Sequence, residues 1–183
     1  KDIVLSFQNR NQKSNRSFVR ECVVKSFHEM AVDGGVVNSS IAIELVEFLI
    51  VYGFVDDIVM VREKALYASI ELVTTYGKDE TDSFFTLFEK HSSNPLTSEG
   101  CVVLLGALAT RIIDDDDDGK IPQIISTLIL ALQSTNPSVQ LAVAQSLPPL
   151  IQTIDIDDLM TKMLSNFFSS EAVAFETRIG YAY

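Results

Sequence analysis

The densest group of metal-capable oxygens in this sequence is the aspartate run at residues 114–118, followed by a glycine. Asp114, Asp116, Asp118 and Gly119 reproduce the first half of a calcium loop, in which alternate carboxylates ligate and a glycine makes the sharp turn. That loop closes on a bidentate glutamate, and the closing place here is held by Ile125, inside an apolar run. The run therefore reads as a solvated loop between helical units, with Asp118 placed to cap the next helix and to meet its positive dipole end. A weak docking site for a basic partner is the functional alternative. Neutralising the run is expected to leave stability nearly unchanged.

The other chemistry-bearing residues are scattered. His28 and His91 have no carboxylate or cysteine at ligand spacing and read as surface or boundary histidines. Cys22 and Cys101 lie far apart in apolar helical stretches and read as two buried free thiols in a reducing compartment. Gly34-Gly35 has neither the spacing nor the following lysine of a phosphate loop. Asn15-Arg16-Ser17 and Asn38-Ser39-Ser40 match the glycosylation sequon, with no secretory signal to make it relevant. Arg62 and Arg178 read as structural ties to carboxylates or helix ends. Without a nucleophile–base order or a phosphate cradle, an enzyme is not expected. No catalytic, cofactor-binding or metal residue is assigned, no cofactor is expected, and the partner-binding residues stay unassigned.

Composition narrows the class of partner. Apolar residues form 47% of the chain, enough for a sizeable core. No apolar stretch approaches the ~20 residues a membrane span needs. Acidic residues outnumber basic ones by 25 to 14, a net charge of −11. That sign opposes extensive contact with nucleic-acid phosphates and suits a basic protein partner.

The elements that must position these residues are helices. In residues 57–76, Ile58, Val61, Ala65, Ala68 and Leu72 recur at steps of three and four, one face of an α-helix. Residues 40–52 do the same with Ile41, Leu45, Phe48 and Tyr52, and a turn at residues 53–57 joins the two into a hairpin. Residues 81–90, 120–133 and 157–168 supply further first helices. Second helices are marked by Val19-Arg20, Val61-Arg62, Thr97-Ser98, Val139-Gln140 and Thr177-Arg178, each followed four and five residues on by small or apolar side chains. The markers stand 42, 36, 42 and 38 residues apart, the period of HEAT and armadillo arrays. Asn94-Pro95 and Asn136-Pro137 each place a capping side chain and a first-turn proline ahead of a second helix. Pro148-Pro149 should bend or end a helix near Ser146.

The expected fold is thus all-α, a right-handed HEAT-repeat solenoid of antiparallel helix pairs. Its units are 1–36, 37–77, 78–114, 115–154 and a truncated 155–183, together one array. The chain lacks an initiator methionine and stops on Ile179, Tyr181 and Tyr183 without a polar capping face, as an internal slice of a longer protein would. Val61, Ala65, Leu66, Leu72, Val139, Val143 and Leu147 are expected between layers. On that facing, Leu66→Ala would cost about 2 to 5 kcal/mol.

A family resemblance follows from the core motifs. SEGCVVLLGALATRI at residues 98–112, PQIISTLILALQSTNPSVQLAVAQSLPPLI at 122–151 and TRIGYAY at the end resemble the general-control translational activators. These are giant ribosome-associated HEAT proteins that co-activate the amino-acid-starvation kinase. The segment resembles the stretch just before their region similar to elongation factor three, and residues 61–183 carry the likeness. The resemblance implies a cytoplasmic scaffold lying along stalled ribosomes. It implies an ATP-binding-cassette partner and recruitment of the kinase that phosphorylates the alpha subunit of initiation factor two. The kinase-docking and elongation-factor-like parts would lie beyond Tyr183. The acidic balance makes ribosomal proteins, neighbouring repeats or spacer duty better matches than ribosomal RNA. A second reading is an importin-type nuclear transport receptor segment, holding basic cargo on acidic HEAT surfaces.

Overall fold

The structure is a computed structural model that describes residues 15–32, 38–114, 119–134 and 136–151, with residues 157, 160, 161, 164 and 165. Among them every regular element is helical: α1 (Asn15–Val32), α2 (Ser39–Phe48), α3 (Val59–Tyr76), α4 (Thr81–Ser92), α5 (Ser98–Ile112), α6 (Lys120–Ala131), α7 (Pro137–Ser146) and the short α8 (Pro148–Ile151). The chain between α2 and α3 begins with a π-helical turn, Leu49–Gly53, sealed by a bond from Phe54 N to Leu49 O of 2.9 Å. The first helix expected over 40–52 is therefore α-helical only to Phe48 and widens in its last turn.

Local chemistry explains where the helices start and stop. Asn136 accepts from Ser138 N at 3.0 Å with Pro137 in the first turn of α7, as its Asn-Pro signal predicts. Asn38 caps α2 through Ile41 N at 2.8 Å, so this sequon asparagine has a structural task. Asn94-Pro95 behaves differently. Asn94 accepts from Leu96 N at 3.0 Å, forming a side-chain turn before the helix, and Thr97 is the residue that precedes α5. The pair is one turn too early to cap because residues 94–97 are spent reversing the chain. α7 ends at Ser146 and α8 restarts on Pro148, where a proline in the middle of one helix would have lacked its donor.

Packing joins the described helices as follows. The second helices meet in sequence order, α1 on α3, α3 on α5 and α5 on α7. Each first helix, α2, α4 and α6, packs on the second helix that follows it, and α2 also meets α4. Small residues set these approaches. A Cβ on Gly53 would come 2.6 Å from that of Ala65, and one on Gly106 would come 2.4 Å from Ser146 Oγ and 2.5 Å from Ser146 Cβ. The approach of α5 to α7 at Ser146 is this close because position 106 has no side chain. Phe84 and Phe88 stack at 5.9 Å in the centre of α4, both with no exposed surface.

Val61, Ala65, Leu72, Val139, Val143 and Leu147 are buried as expected. Leu66 is not. It is half-buried, because the α3 face that meets α1 and α5 runs through Ala65, Ala68 and Leu72, and Leu66 stands on its flank. The marker in α1 also shifts: Val19 is 46% exposed and Arg20 only 3%. Arg20, Val24 and Ala31 keep the spacing of Val61, Ala65 and Leu72, one residue later than the Val19 marker suggests. Cys22 is exposed, unlike the buried Cys101, since two residues beyond Arg20 lie about 200° around the helix axis. Gly34-Gly35, most of residues 157–168 and the Thr177-Arg178 marker fall outside the described residues.

Candidate interaction surface

The strongest polar constellation is one that residue spacing alone did not single out. Arg20 Nε donates to Asp56 Oδ2 at 2.7 Å, and its Nη2 reaches Asp56 Oδ1 and Asp57 Oδ1, both at 3.1 Å. The Asp56 side chain has no exposed surface. Asp56 Oδ1 also accepts from Ile58 N at 2.9 Å, and Arg62 donates to the Asp56 carbonyl oxygen. One buried carboxylate thus fixes the turn before α3 and clasps α1 to it through a two-pronged, charge-assisted contact. Arg62 is the structural tie its position suggests, though within its own hairpin. The sequence signal for Arg20 was a lone arginine four residues before the apolar Val24, answered by the Asp56-Asp57 pair.

Further ion pairs bridge other helices. Lys64 pairs with Glu21, and Lys90 Nζ with Glu47 Oε1 at 2.8 Å, each across 43 residues of sequence. Lys120 pairs with Asp82, its ammonium also 5.8 Å from the Phe85 ring centroid. The bridges join α1 to α3, α2 to α4 and α4 to α6. The hydrogen bond from Lys90 holds the Glu47 carboxyl below its ordinary range, against the opposing pull of partial burial.

The groups considered for chemistry are kept apart. His91 Nε2 is buried without a hydrogen-bond partner, and Glu47 Oε1 is 3.7 Å away. His28 is half-buried on α1. Burial pushes the Cys101 thiol up to about 12, with a hydrogen bond from Thr97 opposing the shift, so it is a packing group and not a ready nucleophile. Asp114 is exposed at the end of α5, residues 115–118 lie outside the described residues, and Ile125 is buried in α6. Gly119 takes a left-handed φ of 64° before α6 and provides no side-chain cap. Among the described residues no three or more of His, Cys, Asp and Glu converge to hold a metal ion. None of the described helices is long and apolar enough to cross a membrane.

What the surface does offer is concave. A groove of about 320 Å³ lies between the start of α3 and the turn into α5, lined by Phe54, Val59, Arg62, Glu63, Leu66, Leu96 and Glu99. Gly100 permits it, because a Cβ there would come 2.4 Å from the Phe54 ring. A second cleft, of about 370 Å³, is lined by Ser92, Ser98, Thr127, Leu130 and Ser134. Neither contains a set of groups able to move a proton or make a covalent bond in concert, whereas both can receive a side chain of a partner.

Comparison with known proteins gives this surface its context. The chain is 31% identical over 132 residues, 67% of its length, to the stalled ribosome sensor GCN1 of Homo sapiens. It is 28% identical over 143 residues, 76% of its length, to the eIF-2-alpha kinase activator GCN1 of Saccharomyces cerevisiae. Protein ILITYHIA of Arabidopsis thaliana is 31% identical over 112 residues. The chain spans only 4 to 5% of the length of these relatives. No family model matches, and no solved structure does. The transport-receptor reading finds no support among these relatives. The resemblance carried by the core motifs is met by the comparison: the chain is a GCN1-like segment.

Proposed function

We propose that this chain is a protein-binding scaffold segment in translational stress control, built as a right-handed HEAT-repeat solenoid with the five units read from the sequence. The observation that carries this reading is the similarity to a stalled ribosome sensor and to an eIF-2-alpha kinase activator. The helix pairing supports it, since consecutive second helices pack on one another as stacked repeats do. As part of a longer cytoplasmic array, the segment presents grooves and acidic edges to ribosomal proteins. It thereby helps position the kinase that phosphorylates the alpha subunit of initiation factor two, together with an ATP-binding-cassette partner. It performs no catalysis of its own and needs no cofactor or metal. Direct nucleic-acid contact is disfavoured by the charge of −11.

The test is an immobilised-chain capture from lysates of amino-acid-starved cells, washed at moderate salt and read by mass spectrometry. Enrichment of ribosomal proteins and kinase-pathway components over a charge-matched helical control is expected. Nuclear-import cargo without ribosomal proteins would overturn the reading.

A further inference from the structure

Leu96 is 72% exposed and Val59 is 55% exposed, and both stand on the groove between α3 and the α4–α5 turn. Met60 at 50% and Ile58 at 40% are also exposed at the start of α3, outside the groove lining. Single exposed apolar residues are ordinary, whereas Val59 and Leu96 share one concavity and offer an apolar seat there. The polar rim selects the occupant. Glu63 and Glu99 are exposed and form no ion pair among the described residues, while Glu21, Glu47, Asp56 and Asp82 are all bound to lysine or arginine. Arg62 also lines the groove, and one of its guanidinium nitrogens donates to the Asp56 carbonyl. The groove is therefore an apolar concavity lined by two unpaired carboxylates and one guanidinium, a net negative rim. A second copy would bring the same carboxylates and another charge of −11, and a nucleic acid would bring phosphates, so both are repelled.

We infer that this groove docks a basic amphipathic helix of a partner protein. Apolar side chains at helical spacing would seat over Phe54, Leu66 and Leu96, and flanking lysines or arginines would reach Glu63 and Glu99. This deepens the scaffold reading and rests on it for the premise that the partner is a protein.

The probe is a short fluorescent helical peptide of leucine and lysine, titrated into the full chain by anisotropy, beside the same peptide with glutamate for lysine. The lysine peptide should bind and the glutamate peptide should not. Leu96→Glu and the pair Glu63→Gln/Glu99→Gln should each weaken binding about tenfold, the effect of losing one good contact. Leu141→Glu, at a site 47% exposed on α7 and outside the groove, should leave binding unchanged. All these positions are exposed, and circular dichroism melts check that the variants fold. Equal weakening by Leu141→Glu, binding of both peptides alike, or no binding would overturn the inference. So would a dimer in light scattering that Leu96→Glu abolishes. Sedimentation of the unmodified chain with ribosomes, run in parallel, separates the two readings. Pelleting without peptide binding removes the groove alone, and peptide binding without pelleting removes the ribosomal role while the groove stands.

Discussion

At the scale of single residues, charge placement matters more than charge number. Arg20 and Asp56 are both removed from water, and a buried pair stabilises only while both partners are present. Truncating one leaves the other desolvated and alone. Arg20→Ala should therefore lower unfolding free energy by about 3 to 5 kcal/mol in urea titration. Adding Asp56→Asn, which keeps an oxygen for Ile58 N, should recover a substantial part of that loss. A double variant no better than the single would mean that the clasp contributes packing alone. Glu47 shows the exposed counterpart. Its carboxyl is held low by Lys90, so it binds fewer protons folded than unfolded. Its contribution is therefore full above the ordinary glutamate value of about 4.3 and disappears as pH falls through the lower folded value. The side chain is 41% exposed, so solvent keeps the effect small. The stability difference between the parent and Glu47→Gln should accordingly shrink as pH falls below about 4.3. A difference that grows on acidification would reverse the sign assigned here.

At the scale of helices, contact depends on which side chains are small and which are fully enclosed. Leu72 has no exposed surface, whereas Leu66 lies half-open on the groove. Leu72→Ala should cost about 2 to 5 kcal/mol, and Leu66→Ala distinctly less than the same change at a closed site. Equal losses would show that α3 is rotated from its described facing. The α5–α7 approach gives a second test. Alanine is the better helix former by about 1 kcal/mol, but a Cβ at position 106 meets the Cβ of Ser146 as well as its hydroxyl. Rotating the serine cannot relieve that contact, so the helices must separate. Gly106→Ala should destabilise by about 1 to 3 kcal/mol, and Ser146→Gly in the same chain should rescue part of it. Stabilisation by Gly106→Ala alone would show that the two helices do not touch there.

The same scale shows what the sequence could convey. Steps of three and four located the buried Val61, Ala65 and Leu72, and Asn136-Pro137 located a helix start, because periodicity and capping are local properties. Arg20 was harder to see. A polar residue in the apolar register has meaning only beside its partner, and Asp56 lies 36 residues away. Cys22 and Leu66 were misplaced for a related reason. An apolar-rich helix such as α1 or α3 has more apolar positions than its neighbours can cover, and tertiary packing decides which remain outside. Asn94-Pro95 carried a true turn signal whose exact offset from α5 depended on the hairpin's reversal. The groove was invisible in the sequence, since Phe54, Leu66 and Leu96 become neighbours only when α3 and α5 pack.

At the scale of the molecule, the interactions share one logic. The Arg20 clasp, the Glu21–Lys64 and Glu47–Lys90 bridges and the Gly106–Ser146 approach each join one helix pair to the next. On the proposed solenoid reading, such a chain gains stability by neighbour contacts and leaves its edges available along its length. Similarity to GCN1 proteins, relatives named for sensing stalled ribosomes and activating a kinase, is what the proposed use of those edges rests on. The most direct test of this account is co-sedimentation of the purified chain with purified ribosomes, comparing stalled with freely translating particles. The account predicts that the chain pellets with ribosomes, more with the stalled ones, and that raising salt releases it. A correctly folded chain that stays in the supernatant with both would contradict it.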